Sequence, residues 1–321
     1  LIQLTGIEPL RWGCDLHPSF NTTRFAMERG GENTLKVQHH YAHSLALMAD
    51  NSLPIDSRIL GISLDGVGYG SDGTIWGGEL FDASYFGYER VGHLLPQPMP
   101  GGDLASRVPS RMVLGILFEK LGLEELKKLP LYFPKGELEL LTVLKQLERG
   151  INVIPSSSTG RVLDAAAAML GICEKRTYDG EPSMKLESAA KKHTHIVDLP
   201  LVFRKDKTTG LQVLDTTELL LGVYELFGKY SSFDLAFAVE ANLAKGISEL
   251  ATSLAAQRNL EIIGLSGGVA YNDHITSCIA STVNEAGFEF LSHRQLPCGD
   301  GCISFGQAVA AGIGKNPGRT F

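Results

Sequence analysis

A chain of 321 residues, 44% of them hydrophobic, is long enough to bury one large core or two smaller ones. Its formal net charge of −7, with both signs interspersed, argues against tight sequence-independent binding to DNA or RNA. No apolar run approaches the ~18 residues that span a bilayer, and no secretory pattern opens the chain, so the expectation is a soluble cytoplasmic protein.

Residues 40–51 carry Tyr41, Ala42, Leu45, Ala46 and Met48 at helical spacing and read as a helix. Residues 58–64, 74–83 and 84–94 read as strands. The glycine-rich turns at 65–70 and 71–73 are too short for crossovers, which predicts an antiparallel meander. Helical spacing returns at 107–128 and 137–149, around a proline-containing break at 129–134. Residues 161–174, alanine-rich and apolar all round, predict a buried helix. A strand at 261–265 then leads through Ser266-Gly267-Gly268 into a helix at 273–286, with a further strand at 288–291. The last helix, 302–312, begins just after Cys298-Gly299-Asp300-Gly301. This order predicts an α/β chain with the two-lobed architecture of the actin and sugar-kinase-like ATPases. Glycine turns of the two lobes then face one another across a nucleotide cleft.

His39 and His43 stand four apart in Val37-Gln38-His39-His40-Tyr41-Ala42-His43. A helix puts both imidazoles on one face, either as a metal-binding pair or as a structural one. His40 occupies the place where a zinc peptidase carries its glutamate, which argues against that class. Asp65 heads Asp65-Gly66-Val67-Gly68-Tyr69-Gly70, which suits either a hairpin turn or a phosphate loop whose carboxylate holds a cation. Ser266-Gly267-Gly268-Val269-Ala270-Tyr271-Asn272 repeats that logic ahead of a helix N-terminus, which favours anions. Asp300, between two glycines, is an N-cap or a ligand. Asp164 lies on an apolar helix and needs a partner, because a lone buried carboxylate is costly. Glu187 by itself looks like a solvated helix charge. Five scattered cysteines do not make a disulfide framework, and Cys298 and Cys302 read as small buried thiols ahead of zinc ligands.

Several stretches resemble the HypF family of hydrogenase-maturation carbamoyltransferases in order and spacing. They are Cys14-Asp15-Leu16-His17-Pro18, residues 37–43, 64–70, Ile75-Trp76-Gly77-Gly78-Glu79, Pro100-Gly101-Gly102-Asp103, 160–171, 266–272 and 298–307. The resemblance covers almost the whole chain and implies the family's carbamoyl-transfer domain. That domain is similar to the threonylcarbamoyl-transfer proteins that modify tRNA and to antibiotic O-carbamoyltransferases. The acylphosphatase-like, zinc-finger and YrdC-like domains that precede it in the family are expected to be absent, with residue 1 near the start of the transfer domain. The expected lobes are residues 1–57 with 293–321, and 58–292.

By resemblance, the carbamoyl group of carbamoyl-adenylate passes to the C-terminal cysteine of the acceptor HypE, toward the cyanide ligands of nickel-iron hydrogenase. His39, His43, Asp65 and Asp300 are implied as ligands of iron or zinc. Gly66, Gly68, Gly267 and Gly268 are implied at the phosphates, and Asp164, Glu187 and Asn272 at the ribose of the ATP or AMP moiety, with magnesium as an optional companion. Gly299 and Cys302 depart from the family pattern, which has Asn and Gly there. Three competing functions share the nucleotide-binding fold: tRNA threonylcarbamoyl transfer, antibiotic-type O-carbamoyl transfer, and a catalytically idle nucleotide-binding scaffold. Tyr41-Ala42 between the histidines, and the Asp15 to Pro18 element, set the chain apart from the tRNA-modifying family.

Overall fold

The computed structural model describes residues 2–314. A short helix α1 (Ile2–Thr5) precedes a parallel strand pair, β1 (Trp12–Asp15) and β2 (Thr34–Val37), joined through α2 (Asn21–Gly30). One residue separates β2 from α3 (His39–Asp50). That residue, Gln38, accepts the Tyr41 N–H on its side chain and so caps the helix. The cap makes His39 the first helical residue and sets His43 one turn further on.

β3 (Arg58–Tyr69), β4 (Ile75–Ser84) and β5 (Gly87–Leu94) form the antiparallel meander that the sequence predicts. The expected turn at 65–70 is not a turn. β3 continues to Tyr69, and Asp65, Gly66 and Val67 bulge opposite the single residue Gly77. Reversal comes at residues 70–74, where Asp72 Oδ1 accepts from the Thr74 N–H and from Trp76 Nε1.

β6 (Gln97–Pro100) pairs with β7 (Val153–Ser156) at the side of the sheet, and α4 (Asp103–Arg107), α5 (Ser110–Leu126) and α6 (Gly136–Arg149) lie between them in the chain. The buried alanine-rich helix α7 (Thr159–Met169) starts two residues earlier than its pattern suggests and ends sooner. Next come α8 (Glu181–Ala190), a helix that the reading of Glu187 anticipates, and β8 (Phe203–Lys205), β9 (Gln212–Leu214), α9 (Thr216–Leu226) and α10 (Ser232–Gln257), which were not anticipated from the sequence. β10 (Ile262–Ser266), α11 (Asp273–Glu285), β11 (Glu289–Leu291) and α12 (Ile303–Ile313) complete the chain as expected.

The large sheet runs β11-β10-β3-β4-β5-β9-β8, with β3 and β10 parallel neighbours inside it. Alternate residues of β3 serve two cores. Leu60, Ile62 and Leu64 enter the larger apolar cluster, which includes residues of α5, α7 and α10. Ile59 joins Phe81, Tyr41, Leu45 and Ala310 in a smaller cluster that α3 and α12 share with the opposite face. Because β3 and β10 run in the same direction, with Ser266 opposite Ser63, the carboxyl end of β10 emerges beside the Asp65 bulge of β3, where open α/β sheets usually bind ligands.

Candidate metal centre and nucleotide cavity

His39 and His43 present their Nε2 atoms to Asp65 at the β3 bulge and to Asp300 just ahead of α12. The separations from Asp65 Oδ2 are 3.2 Å and 3.8 Å, and from Asp300 Oδ1 3.4 Å and 3.7 Å. Ligands ~2.1 Å from a tetrahedral zinc stand about 3.4 Å apart, and these four distances scatter around that value. The donor atoms of all four residues lie within 4.8 Å of one another. Both histidines are buried, whereas Asp300 closes the cluster from the solvent side with 71% of its side chain exposed.

Each imidazole is oriented from behind. His39 Nδ1 donates to Asp15 Oδ2 at 3.0 Å, and Nε2 on the other side of the ring donates to Asp65 Oδ2 at 3.2 Å. Ser266 Oγ has one proton, given to the Cys298 carbonyl at 3.1 Å, so it accepts from His43 Nδ1 at 3.0 Å and from His293 Nε2 at 2.9 Å. His43 Nε2 is buried and makes no hydrogen bond. Burial alone would push His43 down, but Asp300, Asp65 and Cys302 carry it up to about 10. The same balance carries His39 well above its usual range, with burial opposed by Asp15, Asp300 and Asp65. Burial works against ionisation of Asp65 as well, yet the two imidazoles hold its carboxyl well below the usual range. A proton or a cation must sit between such groups. Two imidazoles and two carboxylates suit zinc or iron, so the residues fit the metal that the family resemblance implies.

The cluster forms one end of a cavity of about 670 Å³. Gly66, Gly268, Glu187 and Asn272 line it. Gly268 N–H donates to Asp65 Oδ1 at 3.2 Å, which brings the two glycine segments together. Three residues expected at the nucleotide do not line it. A Cβ on Gly68 would come 2.3 Å from His40 Cε1, so Gly68 exists to pack on that buried ring. Gly267 has φ +104°, and a Cβ would meet the Leu64 carbonyl at 2.2 Å. Asp164 is fully buried on α7, with Oδ2 2.6 Å from Arg161 Nη2 and Oδ1 accepting from Ser183 Oγ at 3.0 Å. The partner that its position demands is thus Arg161, and it stands behind the cavity wall. Asn272 caps α11 by accepting from the Ile275 N–H, and it donates to the fully buried Glu240 at 2.8 Å. Glu187 pairs with Lys191 at 3.0 Å.

The thiols behave as small packed groups. Cys302 is buried with Sγ 3.3 Å from His43 Nδ1, and Cys298 is half-buried. Burial raises the Cys302 thiol, but His293 and His43 outweigh it and bring it down to about 6. Sequence reasoning missed Asp15, Ser266 and the support beneath the bulge. Glu79, fully buried in the Trp76-Gly77-Gly78-Glu79 run, accepts from Arg90 Nε at 2.6 Å and from Ser157 Oγ. The next residue, Ser158, donates to the Asp65 and Gly66 carbonyls and accepts from the Arg161 N–H. The sequence signal was a charged residue in a strand otherwise buried on both faces.

Fold and cavity place the chain among two-lobed α/β proteins of the actin and sugar-kinase-like class. A family model described as "Carbamoyltransferase, Kae1-like Domain, second subdomain" matches residues 61–307, and one described as "HypF Kae1-like domain" matches residues 1–50. The chain belongs to the HypF family. The probable carbamoyltransferase HypF of Methanocaldococcus jannaschii is 42% identical over 301 residues, covering 92% of this chain and 38% of that protein. The carbamoyltransferase HypF of Rhodobacter capsulatus is 36% identical, with the same two shares. A crystal structure of full-length HypF in its phosphate- and nucleotide-bound form superposes with a TM-score of 0.88 at 29% identity, over 97% of this chain and 48% of that one. HypF of T. kodakarensis gives 0.83 at 39% identity, over 93% and 40%. The chain spans about two fifths of the length of these two curated relatives. Among the described residues, no helix is long and apolar enough to cross a membrane.

Proposed function

We propose that this chain carries the carbamoyl-transfer step of the HypF family, moving the carbamoyl group of carbamoyl-adenylate to the C-terminal cysteine of HypE in nickel-iron hydrogenase maturation. The observation that carries this reading is the four-donor cluster at the end of a nucleotide-sized cavity in a chain of this family. In the transfer a thiolate attacks the carbamoyl carbon, a carbon–sulfur bond forms, the carbon–oxygen bond to phosphate breaks, and AMP leaves with that electron pair. A divalent iron or zinc held by His39, His43, Asp65 and Asp300 would supply Lewis-acid polarisation of a carbamoyl or phosphoryl oxygen. Asp15 and Ser266 hold the two imidazoles in the tautomer that such a cation needs. The Gly66 and Gly268 backbones offer close approach to phosphate, and Glu187 and Asn272 lie on the ribose side. The two lobes are assigned to residues 1–57 with 293–321 and to 58–292, of which residues 1 and 315–321 lie outside the described residues.

The test is to incubate the metal-loaded chain with supplied carbamoyl-adenylate and HypE. AMP release together with a carbamoyl adduct on the HypE cysteine, found by peptide mass spectrometry, is expected. Adenylate binding without turnover would instead favour the idle scaffold.

A further inference from the structure

Arg161 lines the cavity from the first turn of α7, yet neither the metal cluster nor the ribose-side residues use it. Its side chain is buried, and Nε and Nη1 find no hydrogen-bond partner. Its short contact with Asp164 is a charge contact only, because Asp164 Oδ2 also lacks an aligned hydrogen bond. Burial holds the Asp164 carboxyl above its usual range even with Arg161 beside it. A guanidinium kept from water with two unpartnered nitrogens is an expensive arrangement, and an arriving anion can relieve it.

The surroundings specify where that anion sits. Arg161 Nη2 is 4.0 Å from the place a Cβ on Gly66 would occupy, one residue from Asp65 of the metal cluster. Ser158 ties the start of α7 to the bulge, and a Cβ on Gly160 would come 2.9 Å from Gly66 Cα, so the helix N-terminus is pressed against the glycine segment. That end of the helix favours negative charge. Arg176 also lines the cavity, but Asp179 already engages it. The other charged groups in the lining are Asp65 and Asp300, facing the histidines, and Glu187, facing Lys191.

We propose that Arg161 binds the 5′-phosphate of the adenylate, turning its idle N–H groups from the core toward phosphate oxygens while Asp164 remains as the buried counter-charge. The proposal rests on the nucleotide reading above. When the carbon–oxygen bond breaks, the phosphate gains charge, so Arg161 holds the departing AMP more strongly than the intact mixed anhydride.

The experiment is calorimetric titration of AMP, and separately of adenosine, into the metal-loaded chain and its Arg161→Gln variant. AMP affinity is expected to fall roughly ten- to a hundredfold in the variant, the range for hydrogen bonds to a charged group, with adenosine affinity unchanged. Because the substitution strands Asp164, the Arg161→Gln/Asp164→Asn double variant is measured beside it, with a melting curve and metal content for each. The same selective loss in both variants supports the proposal. Unchanged AMP affinity, or an equal loss for AMP and adenosine in the correctly folded double variant, overturns it. If the unsubstituted chain binds neither compound while retaining its metal, the nucleotide reading itself fails. If it binds both equally well, only the role of Arg161 fails.

Discussion

The two ends of the cavity solve opposite problems. At the metal end, side chains from α3, the β3 bulge and the turn before α12 converge, and Asp15 and Ser266 orient the imidazoles so that both Nε2 atoms face a common point. At the end proposed for the nucleotide, the polar side chains already have protein partners: Asn272 has Glu240 and the Ile275 N–H, and Glu187 has Lys191. The first end is a set of donors waiting for a ligand. The second is a wall whose shape is set by internal bonds, with Arg161 as the exception. A ligand at the metal end should therefore depend steeply on single side chains, and one at the nucleotide end should depend on them more gently.

Both ends hang from one buried pair, and breaking it should have the largest effect. Glu79 receives Arg90, Ser157 and the N–H groups of Gly77 and Gly78, and Arg90 lies 4.1 Å over the Trp76 ring. Arg90→Ala leaves Glu79 charged and unpaired in the core, so a loss of about 3 to 5 kcal/mol is expected from urea unfolding. Metal and nucleotide affinity should fall together, because the Asp65–Gly66 segment is held through Ser158. A variant weakened at one end only would show that the two ends do not share this support.

His39→Ala and His43→Ala come next and should separate the ends. Each should lower metal affinity by more than the roughly hundredfold that marks the loss of an outer partner, measured by competition with a chelator. Adenosine affinity should stay within about twofold, since no histidine lines the ribose side. His43 is fully buried, so its variant should also melt lower, an effect that a mere cleft residue would not show. Ser266→Ala removes the acceptor of the His43 Nδ1 proton and should cost about ten- to a hundredfold in metal affinity, again sparing adenosine. Full metal affinity in Ser266→Ala would mean that Cys302, 3.3 Å from the same nitrogen, orients the ring instead.

The family resemblance named the four donors that the fold brings together at the metal end. The local patterns behind them, an i,i+4 histidine pair, a carboxylate at a predicted strand end and an aspartate between glycines, left each residue open between a ligand and a structural role. Their supports are not local: Asp15 is 24 residues from His39, and Ser266 is 223 from His43. Glycines mislead for a related reason. Gly68 and Gly267 look like phosphate-facing positions, but what they accommodate is a histidine ring and a carbonyl from elsewhere in the fold. The meander was readable from alternation, whereas the long helix α10 is apolar over most of its surface and shows weak periodicity. Its Ser231–Asp234 capping box was the available signal.

The smallest effect belongs to Asn272, and it tests the gentle side of the contrast. Its side chain caps α11 and also satisfies Glu240, so Asn272→Ala combines a lost cap, about 1 kcal/mol, with a weakened hold on a fully buried carboxylate. Asn272→Ser keeps a capping oxygen but cannot reach Glu240 in the same way. If Asn272 shapes the wall through its internal bonds, serine should restore most of the melting temperature, and both variants should weaken adenosine by no more than about tenfold. If Asn272 instead binds the ribose directly, serine should rescue stability while adenosine affinity stays low. Titration beside a melting curve for the two variants therefore reads the cap and the ligand contact separately, and a hundredfold loss in both would make this end as steep as the other.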